Sequence, residues 1–147
     1  MSFFTADQLV AHAVGDYILQ SHWMATEKTK QHFAAPVHAI TYTLPFVLIT
    51  QNLAALAVIC GSHFLIDRYR LARFVVWAKN GPCRRAAKHH EGAFDGYVYS
   101  LKPVTATGYS DDVPPWLSVW LLIAADNIIH VLCNGLAIYF LGGGAHG

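Results

Sequence analysis

His63 and Asp67 stand four residues apart in the apolar run Gly61-Ser62-His63-Phe64-Leu65-Ile66-Asp67. On a helix that spacing puts both side chains on one face, with Cβ atoms about 5–6 Å apart, within reach of a single metal ion. The same spacing occurs at His12/Asp16 and, reversed, at Asp126/His130. With the nine histidines of this chain, random placement gives roughly one mixed pair of this kind. Three occur, each in a different apolar segment, and a fourth segment adds His38 with Tyr42 one turn on. The candidate ligands are therefore His12, Asp16, His38, His63, Asp67, Asp126 and His130. Neutral imidazoles and carboxylates suit a divalent ion, zinc first, with manganese or iron also compatible. An ion would offset much of the cost of burying the aspartates. Seven donors exceed what one tetrahedral ion needs, so either two ions share them or some aspartates orient histidines. Without an ion, each pair reads as an internal His–Asp hydrogen bond.

Four helices have to carry these residues. Thr5-Ala6-Asp7-Gln8 fits a capping box that starts a helix near Ala6, running over 6–20. His12, Asp16 and Gln20 form its polar stripe, and Ala11 and Gly15 offer a small-residue face for close packing. Pro36 suits the first position of a second helix over 36–50, with Pro45 as a kink. Gln51-Asn52 turns into a third helix over 53–77, and residues 115–141 form a fourth, long enough to span a bilayer. Gly61, two residues before His63, would permit close approach by another helix or a ligand. Residues 78–113 read as a polar loop with little apolar periodicity.

The 147 residues make a single domain, 1–147, with 54% hydrophobic and only 13% charged residues. About 25% charged is usual in soluble domains, so the composition points to an integral membrane protein. The formal net charge of +1 gives no reason to expect a nucleic-acid partner. Cys60, Cys83 and Cys133 lack paired spacing and read as buried thiols. The opening Met-Ser-Phe-Phe-Thr-Ala-Asp is unlike a signal peptide, so the chain's own helices would direct insertion. All ten Lys and Arg residues lie within 21–35 and 68–113. Both segments then face the cytoplasm by the positive-inside rule, with both termini outside. The fold class expected is all-α, a four-helix transmembrane bundle with a polar cytoplasmic excursion between helices 3 and 4. One tension follows: Asp126 and His130 lie about 11 to 15 residues past Pro115, or roughly 16–22 Å along a helix, deeper than the other pairs.

The motifs as a set resemble a known family. His12-x-x-x-Asp16-Tyr17-x-Leu19-Gln20, then Trp23-Met24-Ala25 with Lys28, Val37-His38-Ala39 with Tyr42-Thr43, His63-Phe64-Leu65-Ile66-Asp67 and Asp126-x-x-x-His130 are similar to the bacterial and phage membrane-protein family catalogued as domain-of-unknown-function family 3307. The resemblance implies a bacterial inner-membrane bundle and carries no activity. A looser similarity links the His-x-x-x-Asp motifs to proteins labelled membrane-bound metal-dependent hydrolases.

The function expected is an integral-membrane, metal-dependent hydrolase near the cytoplasmic face, acting on a phosphoester, ester or amide, with a lipid as the natural substrate. An ion that lowers the pKa of a coordinated water toward about 7 is the chemistry these ligands permit. His12, His38, His63 and His130 are the expected ligands. Asp16, Asp67 and Asp126 are expected as ligands, orienters or the catalytic general base. The alternative is a non-enzymatic membrane protein that binds a metal ion or a membrane protein partner. A di-iron redox bundle ranks last, because Glu27 and Glu91 both lie outside the expected helices. His89-His90-Glu91 with Asp95 forms a weaker patch in the polar loop, and His22, His32 and His146 lack partners at ligand spacing. Tyr17, Gln20, Tyr42, Asn127 and Asn134 lie beside the stripes or one turn from them, with roles that spacing alone leaves open.

Overall fold

The computed structural model describes residues 3–88 and 96–142, and the protein there is mostly helical. The patch His89, His90, Glu91 and Asp95, and His146, lie outside the described residues. Two compact units are formed, one by the chain up to Leu71 with the part from Asp126 on, the other by Ala72–Ala125.

The first unit begins with α1, Ala6–Ala13, capped by Thr5, whose hydroxyl accepts the Gln8 N–H at 3.4 Å. Its last turn widens into a π turn, Val14–Ile18, an irregularity that often marks a functional position, and Asp16 lies within it. The polar stretch after Gln20 is not all loop: Ser21 caps a short helix α2, His22–Glu27. Helix α3 spans Ala34–Thr43, so Pro36 falls in its first turn rather than at its start. Pro45 has no N–H for the carbonyl of Thr41, and the Leu44 N–H bonds that carbonyl instead. The chain accordingly tightens into a 3-10 turn, Leu44–Leu48. Asn52 caps α4, Leu53–Tyr69, accepting from the N–H groups of Ala54 and Ala55 at 2.9 and 3.3 Å.

The segment read as one helix over 53–77 is two, because Arg70 takes the left-handed conformation (φ 53°, ψ 49°) and closes α4 before α5, Leu71–Lys79. The conformation costs a non-glycine residue about 1–2 kcal/mol, and no glycine marks it in the sequence. The core of this unit is Ala11, Tyr42, Phe46, Ile59, Ala137 and Ile138. Gly15 lets two elements meet: a Cβ there would lie 2.7 Å from Cδ2 and 2.8 Å from the carbonyl oxygen of Tyr42. Gly61, expected to permit a close approach, faces open space.

In the second unit α5 is followed by an antiparallel pair of strands, β1 Cys83–Lys88 and β2 Gly96–Leu101, in register from Cys83↔Leu101 to Lys88↔Gly96. The polar reading of 78–113 passed over this pair, although Tyr97, Val98 and Tyr99 are strand-favouring types. Gly108 (φ +77°) packs so closely that an added Cβ would collide with the Arg73 carbonyl. The Trp77 indole donates to the Lys102 carbonyl at 3.0 Å.

Helix α6, Pro115–Leu141, contributes to both units. Among the described residues it alone is long and apolar enough to cross a membrane; Ala34–Leu48 is apolar but shorter. Large apolar side chains stand exposed on several elements, among them Ile18, Phe33, Leu48, Leu53, Trp120 and Phe140.

Candidate metal centre

Asp67 is the hub of the first unit. It comes from the last turns of α4, on the same face as His63, and both are buried. Its Oδ2 lies 3.1 Å from His63 Nε2 and 3.1 Å from His38 Nε2, while its Oδ1 lies 3.4 Å from His130 Nε2. The π turn brings Asp16 Oδ1 to 3.3 Å from His38 Nε2 and 3.5 Å from His63 Nε2. The two imidazole Nε2 atoms are themselves 2.9 Å apart. Asp126 Oδ2 stands 3.5 Å from His130 Nε2 on α6. α6 thus brings His130 to the same carboxylate as His63.

Two groups of potential ligand atoms result, Asp16, His38, His63 and Asp67 in one and Asp67, Asp126 and His130 in the other. A tetrahedron with zinc bonds of 2.0–2.1 Å has edges of about 3.3 Å. Five of the six separations in the first group, 2.9–3.5 Å, lie near that edge. Buried Asp16 Oδ1, although 3.3 and 3.5 Å from two imidazole nitrogens, makes no hydrogen bond within the protein, which is costly unless something else satisfies it. The donor set and its spacing fit a divalent ion.

His12, expected as a ligand, stands beside these groups. Its Nε2 bonds Asn127 Oδ1 at 2.9 Å and its Nδ1 the Tyr42 hydroxyl at 2.9 Å, with Asp16 Oδ2 at 3.6 Å. In the tautomer with hydrogen on Nε2, His12 donates to Asn127 and accepts from the Tyr42 O–H. The Tyr42 oxygen then accepts from Asn134 Nδ2 at 2.6 Å. Asn127 also bonds the Tyr17 hydroxyl, donating through Nδ2 at 2.6 Å. Tyr42, Asn127 and Asn134, whose roles spacing left open, thus orient His12. His22 and His32 are exposed on the surface.

Lys28 is the residue that sequence reasoning left in a basic loop. Its ammonium donates to Asp67 Oδ2 at 2.7 Å and to Gln20 Oε1 at 3.0 Å, and lies 3.3 Å from His38 Nε2. Arg68 on α4 donates to the carbonyl of the adjacent Thr29, tying this segment down. No spacing rule links Lys28 to Asp67, 39 residues away. Its place follows from Ser21 and α2, which turn the chain back over the site.

The site is closed on most sides. His38, His63 and His130 are at most 1% exposed, whereas the side chains of Asp16, Lys28 and Asp126 are 10%, 18% and 32% exposed. With the imidazoles neutral, Asp16, Asp67 and Asp126 carry three negative charges beside the ammonium of Lys28, Asp126 being partly solvated. Burying the unpaired carboxylate of the other two costs several kcal/mol, which a divalent ion would offset.

No curated protein and no solved structure matches the chain. A family does: residues 4–93, which carry Asp16, Lys28, His38, His63 and Asp67, match it, and the chain belongs to the family described as protein of unknown function (DUF3307).

Proposed function

We propose that this protein is an integral-membrane, metal-dependent hydrolase whose divalent ion, zinc in the first instance, is held by the Asp67-centred cluster. One observation carries the reading: four ligand atoms from three elements converge at spacings close to a tetrahedral edge, with buried Asp16 Oδ1 making no hydrogen bond among them. A divalent ion held there would supply Lewis acidity to an ester or phosphoester oxygen, which would have to enter as a fifth ligand beside the four protein donors. Lys28 adds a positive charge at the same place, which favours an anionic phosphoester over a neutral ester. Asp126, the carboxylate most open to solvent, takes the proton of the attacking water and returns it to the leaving oxygen. His12, held by Tyr42 and Asn127, packs beside Asp16 and is not a ligand.

Membrane insertion is supported by the length and hydropathy of α6 and by the large apolar side chains exposed on the first unit. The positive-inside rule applied to the two basic segments supports a site at the cytoplasmic face of a bacterial inner membrane, with both termini outside. A membrane lipid is then the substrate nearest at hand.

A non-enzymatic reading is favoured by one observation, the near-complete burial of all three imidazoles around Asp67. In that reading the ion, or Lys28 alone, holds the fold and the protein acts through a membrane partner.

The test is elemental analysis of the detergent-purified protein, followed by hydrolysis assays on phospholipids and soluble phosphoesters. The expected result is stoichiometric metal and hydrolysis in the wild type, with both lost in folded His63→Ala and Asp67→Asn variants. Full metal occupancy in both variants overturns the site. Metal without hydrolysis of any phosphoester or lipid leaves the non-enzymatic reading.

A further inference from the structure

The two ligand groups are joined by more than Asp67. His63 and His130 also meet directly, Nδ1 to Nδ1, at 3.1 Å. A hydrogen bond between two imidazole nitrogens holds one hydrogen, with one ring donating and the other accepting through its lone pair. An ion bound at Nε2 of a neutral imidazole takes the Nε2 lone pair and leaves the ring's hydrogen on Nδ1. Were both rings to ligate through Nε2, both Nδ1 atoms would carry hydrogens, facing each other across 3.1 Å. Occupation of one group therefore forbids occupation of the other in this arrangement. Charge agrees, because with neutral imidazoles and the Lys28 ammonium one divalent ion balances the three aspartates, whereas a second leaves net positive charge.

Resting on the metal reading above, we propose that the protein binds a single divalent ion at Asp16, His38, His63 and Asp67, and that His130 is a positioning residue that accepts the His63 Nδ1–H. Four donors at tetrahedral spacing outweigh the three of the other group. His130 then carries its hydrogen on Nε2, 3.4 Å from Asp67 Oδ1 and 3.5 Å from Asp126 Oδ2. Those two carboxylates turn the His130 ring so that its Nδ1 lone pair faces His63. The relation is that of an outer histidine to a ligating one, fixing its tautomer and ring orientation, and losing such a partner typically costs about 10–100-fold in metal affinity.

The experiment titrates Zn²⁺ into the metal-stripped, detergent-solubilised full chain as wild type, His130→Gln, His130→Leu and His38→Ala, each checked for a folded, monodisperse state. A glutamine carbonyl can accept the His63 hydrogen and a leucine cannot. One ion is expected in the wild type and in both His130 variants, with affinity near wild type for His130→Gln and about 10–100-fold weaker for His130→Leu; His38→Ala binds none. In the Co²⁺-loaded protein, the exchangeable, paramagnetically shifted proton resonance of His63 Nδ1–H is expected in the wild type and in His130→Gln, and is lost to solvent exchange in His130→Leu. Two ions in the wild type overturn the proposal, as does an ion kept by His38→Ala but lost from both His130 variants. Equal affinity in His130→Gln and His130→Leu overturns the positioning role. If the variants do not fold, the wild-type stoichiometry alone still decides between one ion and two. A folded wild type that binds no ion removes the metal reading itself rather than this refinement of it.

Discussion

The ring of Tyr42 lies on that of His63, with centroids 3.5 Å apart and planes 12° apart, while its hydroxyl bonds His12 Nδ1 and Asn134 Nδ2. One side chain thus orients two histidines by different means. Tyr42→Phe keeps the stack and removes the hydroxyl, leaving a buried nitrogen on each of two partners unpaired. The expected cost is about 1–3 kcal/mol of stability, with metal still bound. Tyr42→Leu removes the stack as well, and metal affinity is expected to fall. Denaturation midpoints and metal content, measured on the same detergent preparations, check both; equal metal affinity in the two variants would deny the ring its role.

Gly15 is the closest contact behind this arrangement. A Cβ at Gly15 would lie 2.7 Å from a Tyr42 ring carbon and 2.8 Å from the Tyr42 carbonyl, which is backbone and cannot turn aside. Gly15→Ala is expected to push the π turn away from α3 at a cost of about 1–3 kcal/mol. Asp16, the next residue, moves with it, so metal affinity should drop as well. A variant as stable and as metal-loaded as the wild type would contradict the close packing of Gly15 on Tyr42.

Asn52 provides a contrasting case outside the cluster. Its side chain caps α4 through the N–H groups of Ala54 and Ala55, at the end of the helix opposite Asp67. Asn52→Ala should lower stability by about 0.5–2 kcal/mol without altering metal affinity. Thermal unfolding beside a metal titration tests this. A parallel loss of affinity would mean that the site responds to general loosening of α4, and would weaken any inference from the Gly15 and Tyr42 variants.

How far the sequence was legible follows from what helical periodicity can carry. The pairs His12/Asp16, His63/Asp67 and Asp126/His130 were visible because each lies within one helix, where spacing alone sets the face. Their convergence on Asp67 was only an expectation, since the offset of one helix along another leaves no trace in either period. The apparent depth of His130 came from that gap. Gly15 could be read as a small-residue contact, but Tyr42 as its partner could not. The break at Arg70 and the tightening at Leu44–Leu48 differ in the same way, since Pro45 announces one and no residue type announces the other. Lys28 was the least legible, its role depending on α2 folding the chain back so that a residue from a polar stretch meets Asp67.

Lys28 also gives the prediction with opposing signs. Its ammonium is the partner that Asp67 Oδ2 holds at 2.7 Å, with Gln20 Oε1 at 3.0 Å. Lys28→Met keeps the length of the side chain and removes the charge, leaving the metal-free protein with three aspartates and no ammonium beside them. Removing one member of a buried pair costs about 3–5 kcal/mol; with the Lys28 side chain 18% exposed, a loss of about 2–3 kcal/mol is expected by the same reasoning. Metal binding should move the other way. A divalent ion beside Asp67 is no longer repelled by a neighbouring cation, so its affinity should rise on the order of tenfold, equivalent to about 1.4 kcal/mol. Zn²⁺ should therefore stabilise Lys28→Met more than it stabilises the wild type. Unfolding midpoints with and without Zn²⁺ for the two proteins measure the difference. Were Lys28→Met destabilised equally in both conditions, the lysine would act only in packing and the ion would lie beyond its field.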